Sequence, residues 1–228
     1  MTNVVVLIKQ APDPGSERKL SDDFTVDRSI DPWLEEINER AVEAALQIKE
    51  AHGGEVTVLT VGPASATDAI RKALSMGADK AVHVQDDAMH GSDAIQTSWV
   101  IARALGTIEG VELVIAGNEA TDGRVGAVPA ILAEYLGLPQ LTHMRTLTVD
   151  GDSLKGERET DEGIFELEAS LPAIVSVNEK INEPRFPSFK GIMAAKKKEV
   201  QTLTLADIGI DPETVGVANA GTTVTGST

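Results

Sequence analysis

With 228 residues and a hydrophobic fraction of 42%, the chain is long enough for one domain with a core of its own. Its formal net charge of −16 argues against general nucleic-acid binding, which needs clustered Lys and Arg facing phosphates. Cysteine is absent, which excludes disulfides, thiolate nucleophiles and Cys-ligated iron–sulfur clusters. Any redox chemistry must therefore belong to an organic cofactor or to another subunit. No run approaches ~18 apolar residues, and no basic segment followed by an apolar one opens the chain. We therefore expect neither a transmembrane helix nor a secretory signal. We expect the protein to be cytoplasmic.

Strands and helices alternate over the first half of the chain. Continuous apolar runs, typical of strands covered on both faces, predict strands over 4–8, 55–61, 80–84 and 111–116. Apolar residues at helical spacing predict helices over about 34–52, 65–76, 92–105 and 127–136. We expect Ser65 and Ser92 to cap the second and third of them. This order predicts a Rossmann-like α/β fold, a parallel sheet with right-handed crossovers and helices on both faces.

The pattern changes in the second half. Residues 142–149, 153–159 and 163–168 alternate apolar and polar side chains, with the hairpin signal Asp150-Gly151-Asp152 between the first two. We expect an antiparallel extension that returns to the core through the β-branched run 173–177. Residues 1–210 then form one domain. Residues 211–228 have no periodicity, and we interpret them as a tail that only a partner orders. The charged segment 20–30 predicts a short excursion or hairpin before the first helix.

The loop after the fourth strand, residues 116–126, is the candidate ligand site. Ligands of open parallel sheets lie at the carboxyl ends of strands, beside helix N-termini. Three glycines let the backbone approach a ligand closely, and the next helix offers free amides to a phosphate. Thr121 adds a hydroxyl and Arg124 a charge. An ordinary glycine-rich strand–helix loop explains the same spacing equally well. Neither G-x-G-x-x-G nor G-x-x-x-x-G-K-[ST] is present, which disfavours the usual dinucleotide site and the P-loop.

No catalytic constellation stands out. The histidines fall in separate elements without the spacing of metal ligands, and we interpret them as surface or structural residues; they are His52, His83, His90 and His143. Without an acid–base partner, the acidic groups are best interpreted as solvated faces; they are Glu35, Glu36 and Glu39 on the first helix and Asp161-Glu162 in a turn.

Residues 178–198 combine large apolar side chains with a basic cluster. Two prolines, Pro184 and Pro187, enforce extended backbone within this stretch. Ser188 is a candidate helix N-cap, and the stretch ends with Lys196-Lys197-Lys198. Phe186 and Phe189 are two of only seven aromatic residues in the chain. They either cover the core where the chain turns a corner, or form an apolar anchor beside a positive patch in a partner-binding loop.

Two segments of this stretch are long and specific: Asn-Glu-Pro-Arg-Phe-Pro-Ser-Phe at 182–189 and Ile-Met-Ala-Ala-Lys-Lys-Lys at 192–198. They closely resemble the signature of electron transfer flavoprotein β subunits. The likeness extends over almost the whole chain, including the first helix at 39–46, Ile-Arg-Lys-Ala-Leu-Ser-Met-Gly-Ala-Asp at 70–79 and Glu-Arg-Glu at 157–159. It implies a sheet of the adenine-nucleotide-binding type.

The resemblance also implies an electron carrier rather than an enzyme. In this family the subunit pairs with an α subunit that holds most of a redox FAD. The heterodimer takes electrons from acyl-CoA and related dehydrogenases, as in fatty acid β-oxidation, and passes them to a membrane quinone oxidoreductase. The β subunit binds AMP with a structural role, or a second FAD in electron-bifurcating members; we prefer AMP. The alternative from another class is a stand-alone nucleotide-binding or adenylating protein, but the Ser-Gly-Gly-type loop that it needs after the first strand is missing.

Site residues follow from the resemblance position by position. The implied cofactor contacts are Leu7, Lys9, Asn38, Val61, Gly117, Asn118, Ala120, Thr121, Asp122, Gly123, Arg124 and Val125. The implied partner-docking residues are Arg185, Phe186, Phe189, Ile192, Met193, Lys196 and Lys197, with Phe189 where the family usually has a leucine anchor. Family members commonly read Ala-Ile-Asp-Gly-Asp-Thr-Gly-Gln in the phosphate loop, whereas this chain reads Ala-Thr-Asp-Gly-Arg-Val-Gly-Ala at 120–127. The hydroxyl and amide donors of the common family loop are therefore at other positions in this chain, and Arg124 is the candidate to replace them as a phosphate ligand.

Overall fold

In the computed structural model, residues 1–13, 15–17, 19–29 and 32–226 are described, and they fold into alternating strands and helices. The strands are β1 (Val4–Leu7), β2 (Gln10–Pro12), β3 (Pro32–Leu34), β4 (Val56–Val61), β5 (Lys80–Val84), β6 (Leu113–Gly117), β7 (Gln140–Asp150), β8 (Ser153–Thr160), β9 (Gly163–Ser170), β10 (Ala173–Val177) and β11 (Val200–Leu203). The helices are α1 (Glu36–His52), α2 (Thr67–Met76), α3 (Ala94–Leu105), α4 (Val128–Leu136) and α5 (Phe189–Ala195).

One large sheet organises the molecule, with strand order β11-β5-β4-β1-β6-β10-β7-β8-β9. The strands from β11 to β7 pair in parallel, and β8 and β9 add an antiparallel hairpin at the far edge. The chain runs from β1 outward to β4 and β5, then returns to the other side of β1 as β6. The order therefore reverses between β1 and β6. We call the region at the carboxyl ends of these two strands the crevice, because ligands of such sheets usually bind there.

Helices cover both faces of the parallel part. One apolar cluster joins the sheet to α1, α2 and α5, and a second joins the opposite face to α3, α4 and residues 205–215. The central strands are buried on both sides because both faces are covered; Val4, Val5 and Val6 are each at most 1% exposed. The predicted Rossmann-like class, with helices on both faces, is confirmed.

Both predicted serine caps are wrong. Helix α2 follows a 3₁₀ turn, and the Ser65 hydroxyl instead donates to the Gln10 side chain at 2.8 Å. At α3 the cap is the next residue, Asp93, which forms a reciprocal capping box with Gln96. Ser92 accepts a hydrogen bond from the Gly216 amide. Helix α1 begins two residues later than predicted because 32–34 pairs with β2 as a short strand.

The antiparallel extension is confirmed, and β10 enters the parallel sheet between β6 and β7. An isolated antiparallel bridge from Leu20 to Val26 fits the predicted excursion, of which residue 30 lies outside the described residues. The segment after 210 packs on its own chain: Val215 is buried, and the Asp93 carboxylate accepts the amides of 221 and 222. That a partner orders this tail stays a prediction; residues 227 and 228 lie outside the described part.

Across the ranges given above, no helix combines the length and the apolar character that crossing a bilayer requires.

Candidate functional site

The carboxyl end of β1, the first turn of α1 and the loop after β6 meet at the crevice. Lys9 joins all three: its backbone amide donates to the Asn38 Oδ1 of α1 at 2.8 Å, and its ammonium reaches the Asp122 carboxylate of the loop, also at 2.8 Å. Leu7 is buried at the end of β1, and Val61 lies half-buried at the end of the neighbouring β4. Of the cofactor contacts that the resemblance implies, the fold thus brings Lys9, Asn38 and Asp122 into direct contact.

Asp122 is the electrostatic centre of this edge. Its side chain is only 2% exposed and accepts from Lys9 and, at 2.9 Å, from Arg28. Burial by itself would raise the pKa of Asp122, but the charges and hydrogen bonds of Lys9 and Arg28 outweigh it and hold that pKa below its ordinary value. Arg28 also donates to the carbonyl of Gln10. Sequence reasoning missed Arg28; its only signal was a charged excursion placed between the first strand and the first helix.

Glu35 ties the loop to the start of α1. Its carboxylate accepts from the backbone amide and the hydroxyl of Thr121, at 3.0 and 2.9 Å, and its own amide donates to the carbonyl of Lys9. Glu35 is 4% exposed, so the prediction of a solvated acidic face is wrong here. Its burial is tolerated because two donors satisfy the carboxylate.

The other acidic residues that were predicted to be solvated, Glu36, Glu39, Asp161 and Glu162, differ in exposure. Glu39 is half-buried. Burial raises its pKa, although the Lys72 ammonium, 3.7 Å from the Glu39 carboxylate, acts in the opposite direction. Only the side chain of Glu36 is widely exposed on this helix turn. Asp161 and Glu162 lie in an exposed turn, as predicted.

The loop from 117 to 127 divides into an inward and an outward part. Gly117 packs on α1: a Cβ there would lie 2.5 Å from the Ile37 side chain and 2.9 Å from the Asn38 amide nitrogen. The amide of Asn118 donates to β10, and the carbonyl of Ala120 accepts from the amide of Arg124.

The outward part runs from Gly123 to Val125. Gly123 has no neighbour within 4 Å of a Cβ position, and Val125 is 61% exposed. Arg124 is exposed and adopts a left-handed φ of 51°, an uncommon conformation for a residue with a side chain. The loop therefore turns Thr121 and Asp122 inward and leaves its tip open to solvent.

The second candidate site is α5 with the segment before it. Ser188 caps the helix as predicted, accepting the Gly191 amide at 3.0 Å. Phe186 is 94% and Phe189 81% exposed, so the interpretation that they cover the core is wrong. Ile192 and Met193 are about half exposed beside them. Together these four side chains form an apolar surface on α5 and its approach.

The basic residues around this surface separate into two groups. Lys196 and Lys197 are exposed. Lys198 turns inward and donates to the carbonyl of Leu74 in the last turn of α2, at 3.0 Å, and to that of Ala78 just after the helix, at 2.5 Å; burial lowers the pKa of Lys198. Arg185 also turns toward its own chain, where it pairs with two glutamates of α1.

Comparison with known proteins gives one consistent result. A family model described as the electron transfer flavoprotein domain matches residues 23–208. The chain is 72% identical over 235 aligned positions to the electron transfer flavoprotein subunit beta of Mycobacterium tuberculosis H37Rv, covering 100% of this chain and 88% of that protein. Proteins of the same name from Thermoanaerobacterium thermosaccharolyticum and Megasphaera elsdenii are 36% and 33% identical; each alignment covers 97% of this chain, and 86% and 85% of the relative.

Proposed function

The chain belongs to the electron transfer flavoprotein family as a β subunit, and we propose that it binds AMP at the β1–β6 crevice and docks acyl-CoA and related dehydrogenases through α5. It is an electron-carrier subunit rather than an enzyme, and it works in a heterodimer with an α subunit. The FAD of that complex, held mostly by the α subunit, supplies the redox chemistry. We further propose a membrane quinone oxidoreductase as the electron acceptor.

The donor set at the crevice suits a phosphate-bearing ligand. Lys9 and Arg28 keep 42% and 34% of their side chains exposed while they bind Asp122, so each retains donor capacity toward a ligand at the sheet edge. Arg124 adds a third cation at the open tip of the loop. The cations Lys9, Arg28 and Arg124 are balanced by three carboxylates of the same edge, Glu35, Asp122 and Glu119, so the proposal rests on the hydrogen-bond donors that face the ligand position and not on net charge.

The residues have distinct roles in this proposal. Lys9 and Arg28 bind the phosphate side, with Asp122 fixing the position of both cations. Asn38 holds the end of β1 in place through the amide of Lys9. Glu35 and Thr121 keep the loop close to α1, so that its backbone amides face a bound nucleotide.

The single observation that carries the docking proposal is the exposure of Phe189. A phenylalanine that is 81% exposed at the start of a short helix contributes little to its own fold. It lies at the position that matches the family's apolar anchor, beside Phe186, Ile192 and Met193. The exposed Lys196 and Lys197 favour a partner with an acidic rim around an apolar pocket.

Cofactor extraction tests the nucleotide proposal. The purified heterodimer is denatured, and the released nucleotides are separated by chromatography and counted against protein. We expect equal amounts of AMP and FAD, one of each per heterodimer. Two FAD and no AMP would instead establish the electron-bifurcating alternative with FAD in this subunit. A chain that is stable and active without an α subunit would favour a stand-alone nucleotide-binding protein.

A further inference from the structure

The segment that carries the two exposed phenylalanines is fastened to the body of the protein by Arg185. The guanidinium makes paired hydrogen bonds to two carboxylates of α1. Nε and Nη2 donate to Glu43 at 2.7 and 3.0 Å, and Nη1 and Nη2 donate to Glu50 at 2.5 and 3.1 Å. The backbone amide of Arg185 donates to Glu43 as well. Paired bonds of this kind fix the orientation of the guanidinium plane as well as its position.

The two glutamates differ in depth. The Glu43 side chain is 6% exposed, and that of Glu50 is 60% exposed. Burial would raise the pKa of Glu43, but the hydrogen bonds from Arg185 outweigh it and hold that pKa below its ordinary value. Hydrogen bonds from Arg185 also lower the pKa of Glu50. The cluster is therefore ionised at neutral pH, and loss of Arg185 would leave a charge on Glu43 largely buried without its main partner.

A second fastening lies at the other end of α5. Arg71 of α2 donates to the carbonyl of Ala195 at 2.7 Å, and Lys198 donates to one carbonyl in the last turn of α2 and one just after it. Between these fastenings lies the stretch 186–194 with its exposed apolar side chains. The stretch is thus held at both ends by cations that face the protein's own helices rather than solvent.

Arg185 and its neighbour Phe186 face different surroundings. Pro187 disfavours helical backbone at Phe186, and Pro184 fixes its own φ just before Arg185. The guanidinium of Arg185 faces α1, while Phe186 is 94% exposed. The clamp therefore holds the backbone directly next to an outward-facing phenylalanine.

We propose that Arg185 is a positioning residue of the docking surface, clamping the segment onto Glu43 and Glu50 so that Phe186 and Phe189 meet the dehydrogenase in one fixed conformation. This rests on the proposed docking function and differs from the sequence expectation that Arg185 contacts the partner. A loop ordered before the encounter does not incur the conformational entropy cost of ordering during it, so affinity rises without any new contact.

The test compares Arg185→Gln, Arg185→Lys and Glu50→Gln in the heterodimer. Reduction by an acyl-CoA dehydrogenase gives the apparent KM for the flavoprotein and kcat separately, and hydrogen exchange reports on residues 186–194. For Arg185→Gln we expect the KM to rise about tenfold with kcat unchanged and exchange in 186–194 to become faster. Arg185→Lys keeps the charge but loses the paired geometry, so it should fall between that variant and the parent.

Glu50→Gln separates positioning from simple charge attraction. Removing an acidic group near a basic docking surface would lower the KM for an acidic partner if charge alone mattered. A weakened clamp instead raises the KM, by about threefold, because one of the two glutamates no longer holds Arg185 as strongly. Glu50 is exposed, so this variant folds. Glu134→Gln, an exposed glutamate on α4 across the sheet, is the matched control and should leave the KM unchanged.

The outcomes are distinguishable. An unchanged or lowered KM in Glu50→Gln, or unchanged exchange over 186–194 in Arg185→Gln, overturns the positioning role. A KM that rises in Phe189→Ala but not in Arg185→Gln overturns the positioning role and leaves the docking function intact. An unchanged KM in Phe189→Ala overturns both.

Discussion

Replacing Phe189 by alanine tests the docking surface at its proposed anchor. The residue is 81% exposed in the subunit, so nearly its whole side chain is available for burial on a partner. Complete burial of a phenylalanine is worth about 1.5–3 kcal/mol. Covering the exposed part is therefore worth about 2 kcal/mol, which corresponds to an affinity loss of about 30-fold on truncation.

The assay is dehydrogenase-dependent reduction of the heterodimer, with the flavoprotein concentration varied at saturating acyl-CoA. We expect the apparent KM for the flavoprotein to rise about 30-fold, with kcat, FAD content and thermal stability unchanged because the side chain makes few contacts in its own fold. As a control, Ile95→Ala truncates an apolar residue that is 52% exposed on α3, across the sheet, and it should leave the KM unchanged. Normal kinetics in Phe189→Ala, or an equal loss in Ile95→Ala, would refute the anchor.

Three further predictions concern the crevice and the cap of α5. Asp122→Asn should lower the free energy of unfolding at pH 7 by about 1.5–3 kcal/mol, because two charge-assisted hydrogen bonds are weakened. Since the folded pKa of Asp122 is lowered, its stabilisation is present above the unfolded pKa of about 3.9 and is lost as pH falls through the folded pKa. Denaturant titrations of variant and parent should therefore converge toward acid pH, and a difference that is unchanged at acid pH contradicts this role. Gly117→Ala should lower the free energy of unfolding by about 1–3 kcal/mol, because the new Cβ would lie 2.5 Å from the Ile37 side chain. Gly123→Ala places its Cβ in open space and should leave that free energy unchanged. Equal losses for the two variants in denaturant titrations would argue against the close approach of α1 to Gly117. Ser188→Ala removes the α5 cap at a local cost of about 1 kcal/mol; it should speed amide exchange in α5 while the melting temperature stays constant, and unaltered exchange would count against the cap.

The fold was predictable where one physical cause dominates. Strands β1, β4, β5 and β6 are continuous apolar runs because both faces of the sheet are covered, and no long-range information is needed to recognise them. Helix caps were predictable only in part: Ser188 caps α5 as expected, but at α3 two neighbouring side chains are candidates to accept the same helix amides. Ser92 and Asp93 are adjacent and both suit a cap, but only Asp93 can complete the box with Gln96. Strand β11 gives no signal of its own, since its four residues are ordered by pairing with β5.

The candidate site was predictable in its location but not in its electrostatics. Strand order and the glycine-rich loop indicate the crevice, because parallel strands must end at one edge. The burial of Glu35 depends on Thr121, 86 positions away, and the pairing of Asp122 depends on Arg28, 94 positions away. No local pattern encodes such contacts. Arg185 is a further example. The sequence predicts that it belongs to the docking segment, but the orientation of its side chain follows from Glu43 and Glu50 on α1.

The aromatic residues show why the docking segment was nevertheless visible in the sequence. The chain has seven, all within the described ranges, and each is between 39% and 94% exposed. They are Phe24, Trp33, Trp99, Tyr135, Phe165, Phe186 and Phe189. The core is instead packed from Val, Ile, Leu, Ala and Met. Aromatic side chains offer the largest apolar area that a residue can bury, and interface cores are enriched in them. Trp99 of α3 and Tyr135 of α4 pack edge-to-face on each other, with ring centroids 5.5 Å apart, so part of this set serves the fold. The two most exposed, Phe186 and Phe189, both lie in the segment that Arg185 holds in place, and it is their exposure in a chain with an aliphatic core that indicates contact with a partner.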